Sequence, residues 1–508
     1  MIGFRDDFYQ KINNNQWQFG STNIDDDFHT DYIFLDVATN SIQKYIGIKH
    51  TKCLLFYEKF TGSFYFDKEE NQAICNYLIR KLITDSKFNN NFENLAIRKI
   101  EKMERYWNHI FLTDVMSSKK ILKIYKNQLD IQKDLYIHTW FMEILTNEMN
   151  GIESHLKIEL STCLTVQEID QLIQYCISGK SISIYSQFEN EIVLLAKKLK
   201  KIDFLCCKNE SHLMTIIDYD SRKMIDEIHK KFKYLHYHGF SSRETFTKYD
   251  ILKMAYTKLI NNDFRLIDSC SNIDSLFLKI KNKELIILIN ALAKFSSLKA
   301  KRRLAQLKNF YFLDILLWKI STKYMIDEIV LRFMMPAEVI SLIKKKILPA
   351  QLSNIKDRYK GMIYLRDGNN EAVYTDSSYI RSFNVTKKDG ASGKYFGKIA
   401  CPGLAQGIAR KITRFSSQIL FEKGDILLCL EGDPDLLPYI KIAGAVIAEQ
   451  GGVTCHVAVV AREFNIPCIM GVGAFLKDFI DGDYVYVNAT EGYFYKGEEN
   501  ECSFSPDC

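Results

Sequence analysis

The sequence predicts a multidomain α+β protein: a small α/β unit at the amino terminus, an α-helical middle and a carboxy-terminal region of short strands and turns. Three observations carry this. With 508 residues the chain is too long for one hydrophobic core, so two to four units are expected. None of the 7 prolines precedes Pro336, and 14 of the 24 glycines lie at or beyond Gly393, so the turn-rich part is at the end. The apolar spacing is mixed at first, then helical, then broken into short runs.

Each part follows in turn. Residues 1–110 mix alternating runs such as DYIFLDVAT and KCLLFYEKFTGSFYF with a helical pattern from Glu69 through Tyr106, as expected of a small α/β unit. Residues 111–355 keep helical spacing, as in ELIILINALAKF and NFYFLDILLWKIS, and read as an α-helical domain. Residues 356–392, polar and without period, read as a connector. From Gly393 to residue 498, short strands alternate with glycine turns: GKIACPGLAQGIARKI, GDILLCL, AGAVIAEQ, PCIMGV and DYVYVNATEGYFY. A single helix, CHVAVVAREF, sits between AGAVIAEQ and PCIMGV, making a strand, glycine turn, helix, strand unit. Residues 499–508 read as a tail.

Composition narrows the function classes. At 47% hydrophobic and 26% charged the chain is an ordinary globular protein. Its 68 basic and 62 acidic residues leave +6, too weak a field to imply a nucleic-acid partner. The 13 cysteines include the adjacent pair Cys206 and Cys207 but no paired C-x-x-C spacing, which predicts reduced thiols and no metal site. The start, MIGFRDDFYQ, is unlike a signal peptide, and no run of about 18 apolar residues occurs. A cytoplasmic protein with no membrane partner is expected.

The chemistry concentrates in EQGGVTCHVAVVAREFNIPCIMGVG. Gly451 and Gly452 permit a sharp exit from a strand, Thr454 is a good N-cap, and His456 falls in the first helical turn. The first N–H groups of a helix have no internal partner and carry partial positive charge, which suits an anion. The same field disfavours imidazolium and keeps a ring lone pair free for nucleophilic attack. Asn465 and Pro467 stand where a left-handed C-cap and its following proline end a helix. A histidine that merely satisfies a local hydrogen bond has the same spacing. A Cys455/His456 nucleophile-base pair is disfavoured because neighbours on a helix point about 100° apart. No His, Cys or Asp lies three or four residues beyond His456 to share a metal.

The run GGVTCHVAVVAREFNIPCIMG closely resembles the phosphohistidine motif of the phosphoenolpyruvate-utilising mobile, or swivelling, domain. That domain occurs in phosphoenolpyruvate synthase, pyruvate phosphate dikinase and rifampin phosphotransferase. CPGLAQGIARKI, the F-x-x-GDILL run, GDPDLLPYIKIAGAVIAE and DGDYVYVNATEG extend the resemblance over about residues 393–496. It implies a swivelling β/β/α domain in which His456 carries a phosphoryl group between two sites, with Thr454, Cys455 and Gly452 supporting the phosphate. Arg462 is on a motif position but points away from His456, so a structural or dipole role is expected. Asn488 stands where relatives commonly have Asp.

In such relatives the phosphate comes from ATP through an ATP-grasp domain or from phosphoenolpyruvate through a barrel. The first 392 residues hold only ten glycines and no phosphate-cradling G-x-x-x-x-G-K-[ST] loop. ATP and Mg²⁺ are therefore expected on an ATP-grasp partner. The helical region bears a weaker resemblance to the central part of rifampin phosphotransferase-like proteins through FKYLHYHGFSSRETFTKYDIL, and through KFSSLKAKRRLAQLKNFYFLDILLWKI with MIDEIVLRFMMPAEVISLI. His236, His238, Arg243 and Glu244 form its candidate site for a small-molecule acceptor, a solvated surface segment being the other reading. Lys299, Lys301, Arg302 and Arg303 read as an exposed basic face, with Phe295, Leu298, Leu304 and Leu307 inward. The expectation is a phosphotransferase or phosphotransfer subunit. Two alternatives stand beside it: a non-catalytic interaction protein that keeps the domain, and a self-contained dikinase-like enzyme with a divergent nucleotide site.

Overall fold

A computed structural model describes residues 17–24, 27–58, 60–110, 116–146, 151–176, 184–199, 217–237, 243–260, 262, 264, 266, 274–345, 349–376, 393–412, 421–430, 436–449, 456–472 and 475–497. Apart from single helical turns, the chain begins with strand β1 (Trp17–Ile24), helix α1 (Phe28–Asp36) and strands β2 (Lys52–Glu58) and β3 (Thr61–Asp67). Helices α2 (Lys68–Thr84), α3 (Ser86–Tyr106), α4 (Ser118–Leu145), α5 (Ile152–Leu160) and α6 (Val166–Gln174) follow. Next come α7 (Ile184–Lys198), α8 (Tyr219–Phe232), α9 (Lys248–Ile260), α10 (Lys283–Tyr324), α11 (Glu328–Arg332), α12 (Pro336–Ile343) and α13 (Pro349–Arg358). Strands β4 (Met362–Asp367), β5 (Asn370–Tyr374), β6 (Tyr395–Phe396), β7 (Lys398–Cys401), β8 (Leu404–Ile412), β9 (Ile426–Cys429) and β10 (Ala445–Ala448) lead to helix α14 (His456–Glu463). Strands β11 (Cys468–Met470), β12 (Tyr484–Asn488) and β13 (Tyr493–Gly497) complete the described chain.

Local chemistry sets these boundaries. Asp67, Asp85 and Ser117 each accept a backbone N–H at the start of α2, α3 and α4, and Thr165 with Glu168 forms a reciprocal capping box on α6. The 42-residue α10 starts at the side chain of Asn282 and ends where Met325 turns left-handed at φ 53°. At 1.5 Å per residue it is about 63 Å long.

The chain forms two compact units, one of residues 1–181, 233–245 and 269–383, the other of residues 182–232, 246–268 and 384–508. In the first, an antiparallel sheet of order β1-β3-β2-β4-β5 packs its Cys53, Leu55, Tyr57, Phe64 and Tyr364 face into a core shared with α1 to α4 and α10. Leu54, Ile363 and Leu365 form a smaller cluster on the other face. Residues 362–374, expected within a connector, are strands of this sheet. Asp367 pairs with Asn370 around a two-residue turn in which Gly368 has φ 62°, a hairpin turn that favours glycine there. The backbone groups of β4 are satisfied by β2 on one side and β5 on the other.

In the second unit the eight-stranded sheet has the order β6-β13-β12-β8-β9-β10-β11-β7. Strands β8 to β11 are parallel, and ILLC, AVIA and CIM are buried throughout, as parallel strands covered on both faces require. One face packs Leu427, Val446 and Met470 against Val457, Val460 and Ala461 of α14. The other packs Leu428, Ile447 and Ile469 against Phe475, Val485, Val487 and Phe494. The nine-residue β8 joins both halves, pairing with β12 and then with β9. This unit also holds α7, α8 and α9, so the helical stretch expected as one domain over 111–355 is divided between the units. Helical periodicity marks these segments as helices but not the unit whose apolar face they complete.

Candidate functional site

Strand β10 is buried end to end and is followed by Glu449, whose Oε1 accepts the N–H of Leu476 at 2.6 Å. Residues 450–455, with Gly452, Thr454 and Cys455 among them, lie outside the described residues. His456 is the first residue of α14, and its side chain is likewise outside the described set. Val457, Ala458, Val460 and Ala461 are buried against the sheet and fix the helix axis.

The other end of α14 closes as the sequence suggests. Asn465 turns left-handed at φ 54°, its N–H donates to Arg462 O at 3.1 Å, and Ile466 N–H returns to Ala461 O at 2.8 Å. Arg462 donates to Ala400 O at 3.2 Å and ties the helix to β7, a structural contact. Asn488 Oδ1 accepts the Glu491 N–H at 3.0 Å, so this side chain shapes the β12-β13 turn. At Gly444, just before β10, an added Cβ would lie 2.5 Å from the carbonyl oxygen of Gly424; glycine lets those backbones approach.

Chemically, the arrangement presents the backbone N–H groups at the start of α14 together with the histidine that opens it. Such an end attracts an anion. Among the described residues no group of three or more His, Cys, Asp or Glu side chains could hold a metal ion. No described helix is long and apolar enough to cross a membrane.

Of the second candidate cluster only Arg243 and Glu244 have described side chains. His236 ends a short 3₁₀ turn, Lys233–His236, with its side chain outside the described residues, and His238 lies outside them entirely. Glu244 is exposed. Arg243, left-handed at φ 47°, pairs with Glu328. Glu328 belongs to a charged network that sequence spacing did not reveal. Arg332, 1% exposed, donates to Asp27 and Asp314 at 2.7 Å each and to Glu328 at 2.7 Å. Glu328 and Arg332 stand four residues apart on α11, but Asp27, Asp314 and Arg243 come from separated segments, so no local pattern marks the network as a whole.

The basic stretch of α10 also differs from expectation. Lys301 and Arg303 are exposed, but Lys299 and Arg302 turn onto Glu143. Burial pushes the Glu143 carboxyl up, but these two cations outweigh it and hold the group at about 2. Phe295, Leu298 and Leu307 are buried and Leu304 is only half-buried. The absence of acids within the run concealed an acid supplied by α4.

Comparison with known proteins places the recognisable chemistry in this carboxy-terminal region. Residues 421–492 match the family described as PEP-utilising enzyme, mobile domain. Phosphoenolpyruvate synthase of Aeropyrum pernix is 40% identical over 102 residues, 20% of this chain and 12% of that protein. The probable phosphoenolpyruvate synthase of Methanothermobacter thermautotrophicus is 37% identical over 98 residues, covering 19% and 14%. That of a Synechocystis strain is 31% identical over 146 residues, covering 28% and 18%. The chain therefore aligns with under a fifth of the length of each of these three relatives. A solution NMR structure of a UPF0107 protein covers 21% of this chain and 99% of its own at 20% identity, with a TM-score of 0.17, which says nothing of the whole fold. The segment that carries His456, residues 421–492, is a PEP-utilising enzyme mobile domain.

Proposed function

We propose that this chain is a phosphotransferase, or a phosphotransfer subunit, in which His456 carries a phosphoryl group from a donor to a small-molecule acceptor. The observation that supports it is the position of His456 at the start of the helix between β10 and β11, inside the matched segment. In the first step a ring nitrogen attacks phosphorus, an N–P bond forms, and the P–O bond to the donor breaks with its electron pair leaving on oxygen. In the second, an acceptor hydroxyl oxygen displaces the imidazole, and its proton passes to solvent or a base. Positioning and charge neutralisation supply most of the rate in such transfers. The donor is ATP on a separate ATP-grasp protein, where Mg²⁺ supplies the charge neutralisation. Gly452, Thr454 and Cys455 support the phosphate on this chain.

The test is to incubate the purified chain with Mg²⁺, ATP labelled in its β- and γ-phosphates and candidate ATP-grasp proteins. Acid-labile, base-stable label should appear on the chain and vanish in His456→Ala. No label with any partner, in a folded chain, would turn the reading toward a docking module without catalysis. Label from ATP without a partner would place the nucleotide site on this chain.

A further inference from the structure

Helices α7, α8 and α9 lie in the same compact unit as the His456 domain although they come from the middle of the sequence. They have an interior of their own: Phe188 packs on Phe232 and Phe246 with ring centroids 5.3 and 5.1 Å apart. Their link to the sheet domain is polar and buried. On one face of α7, Ser186 is 1% and Glu189 is 3% exposed. Ser186 Oγ donates to Glu463, the last residue of α14, at 2.9 Å. Glu189 takes Lys258 of α9 and Lys441, from the chain just before β10. The Lys441 ammonium also stands 5.2 Å from the ring centroid of Phe464, which follows α14.

A carboxylate this buried is tolerated only if its cations stay in place. Glu189 has one from its own helical group and one from the sheet domain, so it clamps the two. Separating them would break the Lys441–Glu189 ion pair and the Ser186–Glu463 hydrogen bond, leaving Glu189 with only the cation of its own helical group.

We infer that α7, α8 and α9 are a resident arm of the His456 domain, held by the Lys441-Glu189-Lys258 and Ser186-Glu463 contacts, and that arm and domain behave as one body. Its bearing on phosphotransfer rests on the phosphohistidine reading: whatever site receives His456 must receive the arm as well. The structural claim stands apart from that reading.

Native-state hydrogen exchange on the full chain, over a series of low denaturant concentrations, tests it. Amides of α7 and α9 should join those of β10 and α14 in one opening transition, separate from that of α4 and α10. Glu189→Lys, which sets three cations together, should lower protection in α7 and in α14 together by about ten-fold or more and leave α4 unchanged. Glu189→Gln should act in the same direction and less. If α7 opens with α4 or alone, or if Glu189→Lys loosens α7 and leaves α14 at wild-type protection, the arm is not part of the body. Should Glu189→Lys fail to fold, the wild-type series decides. Loading His456 with phosphoramidate in parallel separates the two readings, because a missing label speaks against phosphotransfer and leaves the exchange result intact.

Discussion

Arg332 is the residue around which the first unit balances its charges. Its guanidinium meets Asp27, Asp314 and Glu328, while Glu328 also meets Arg243. Removing the cation leaves buried carboxylates facing each other, so Arg332→Met should cost about 3–5 kcal/mol in denaturant unfolding. A loss below about 1 kcal/mol would show the network to be solvated. Asp314 adds a pH dependence. Burial pushes its carboxyl from 3.8 up to about 7, against the pull of Arg332. A carboxyl raised on folding binds its proton more tightly in the folded state. Its contribution is therefore full below pH 3.8 and is lost as pH rises through about 7. The melting temperature of the first unit should fall between pH 5 and pH 8, and Asp314→Asn should flatten that fall. Parallel curves for the two proteins would contradict this assignment.

Single elements show what the sequence made legible. The β10-α14-β11 unit was readable in order and in its end signals, because Asn465 and Pro467 act on the backbone beside them. Asn465→Ala should destabilise by about 1 kcal/mol and Asn465→Gly by less, since alanine keeps the Cβ but loses the short polar side chain that favours the left-handed region, whereas glycine has no Cβ to strain there. Gly444→Ala should cost about 1–3 kcal/mol, because the new Cβ meets the Gly424 carbonyl in a turn tied down by the bonds from Gly424 N–H to Ile442 O and from Gly444 N–H to Asp425 O. Equal chemical stability of Gly444→Ala and wild type would show that carbonyl free to shift. The β4-β5 hairpin was overlooked although Asp367-Gly368 is a turn signal, because the polar residues around it hid a strand pair whose partner, β2, lies far away in sequence. Long-range pairing of this kind has no local signature.

At the scale of the molecule, periodicity gave the mixed α and β character, while the division into units came from contacts that sequence order does not carry. Ser186, Glu189, Lys441 and Glu463 are ordinary polar residues in sequence and become informative only where they meet. Arg243 likewise meets Glu328 and, through it, the network of Arg332, a contact that no local pattern announces. The helix start at His456 was legible because the signals that end the preceding strand and open a helix are local in sequence. The central claim is that this imidazole accepts a phosphoryl group. Treating the folded chain with phosphoramidate and locating the phosphate by mass spectrometry tests it most directly, because the chain holds 10 histidines among which the reagent must choose. The account predicts one acid-labile, base-stable phosphate on His456 that is absent from His456→Ala. Phosphate on other histidines with His456 unmodified, or none on the folded chain, would contradict it.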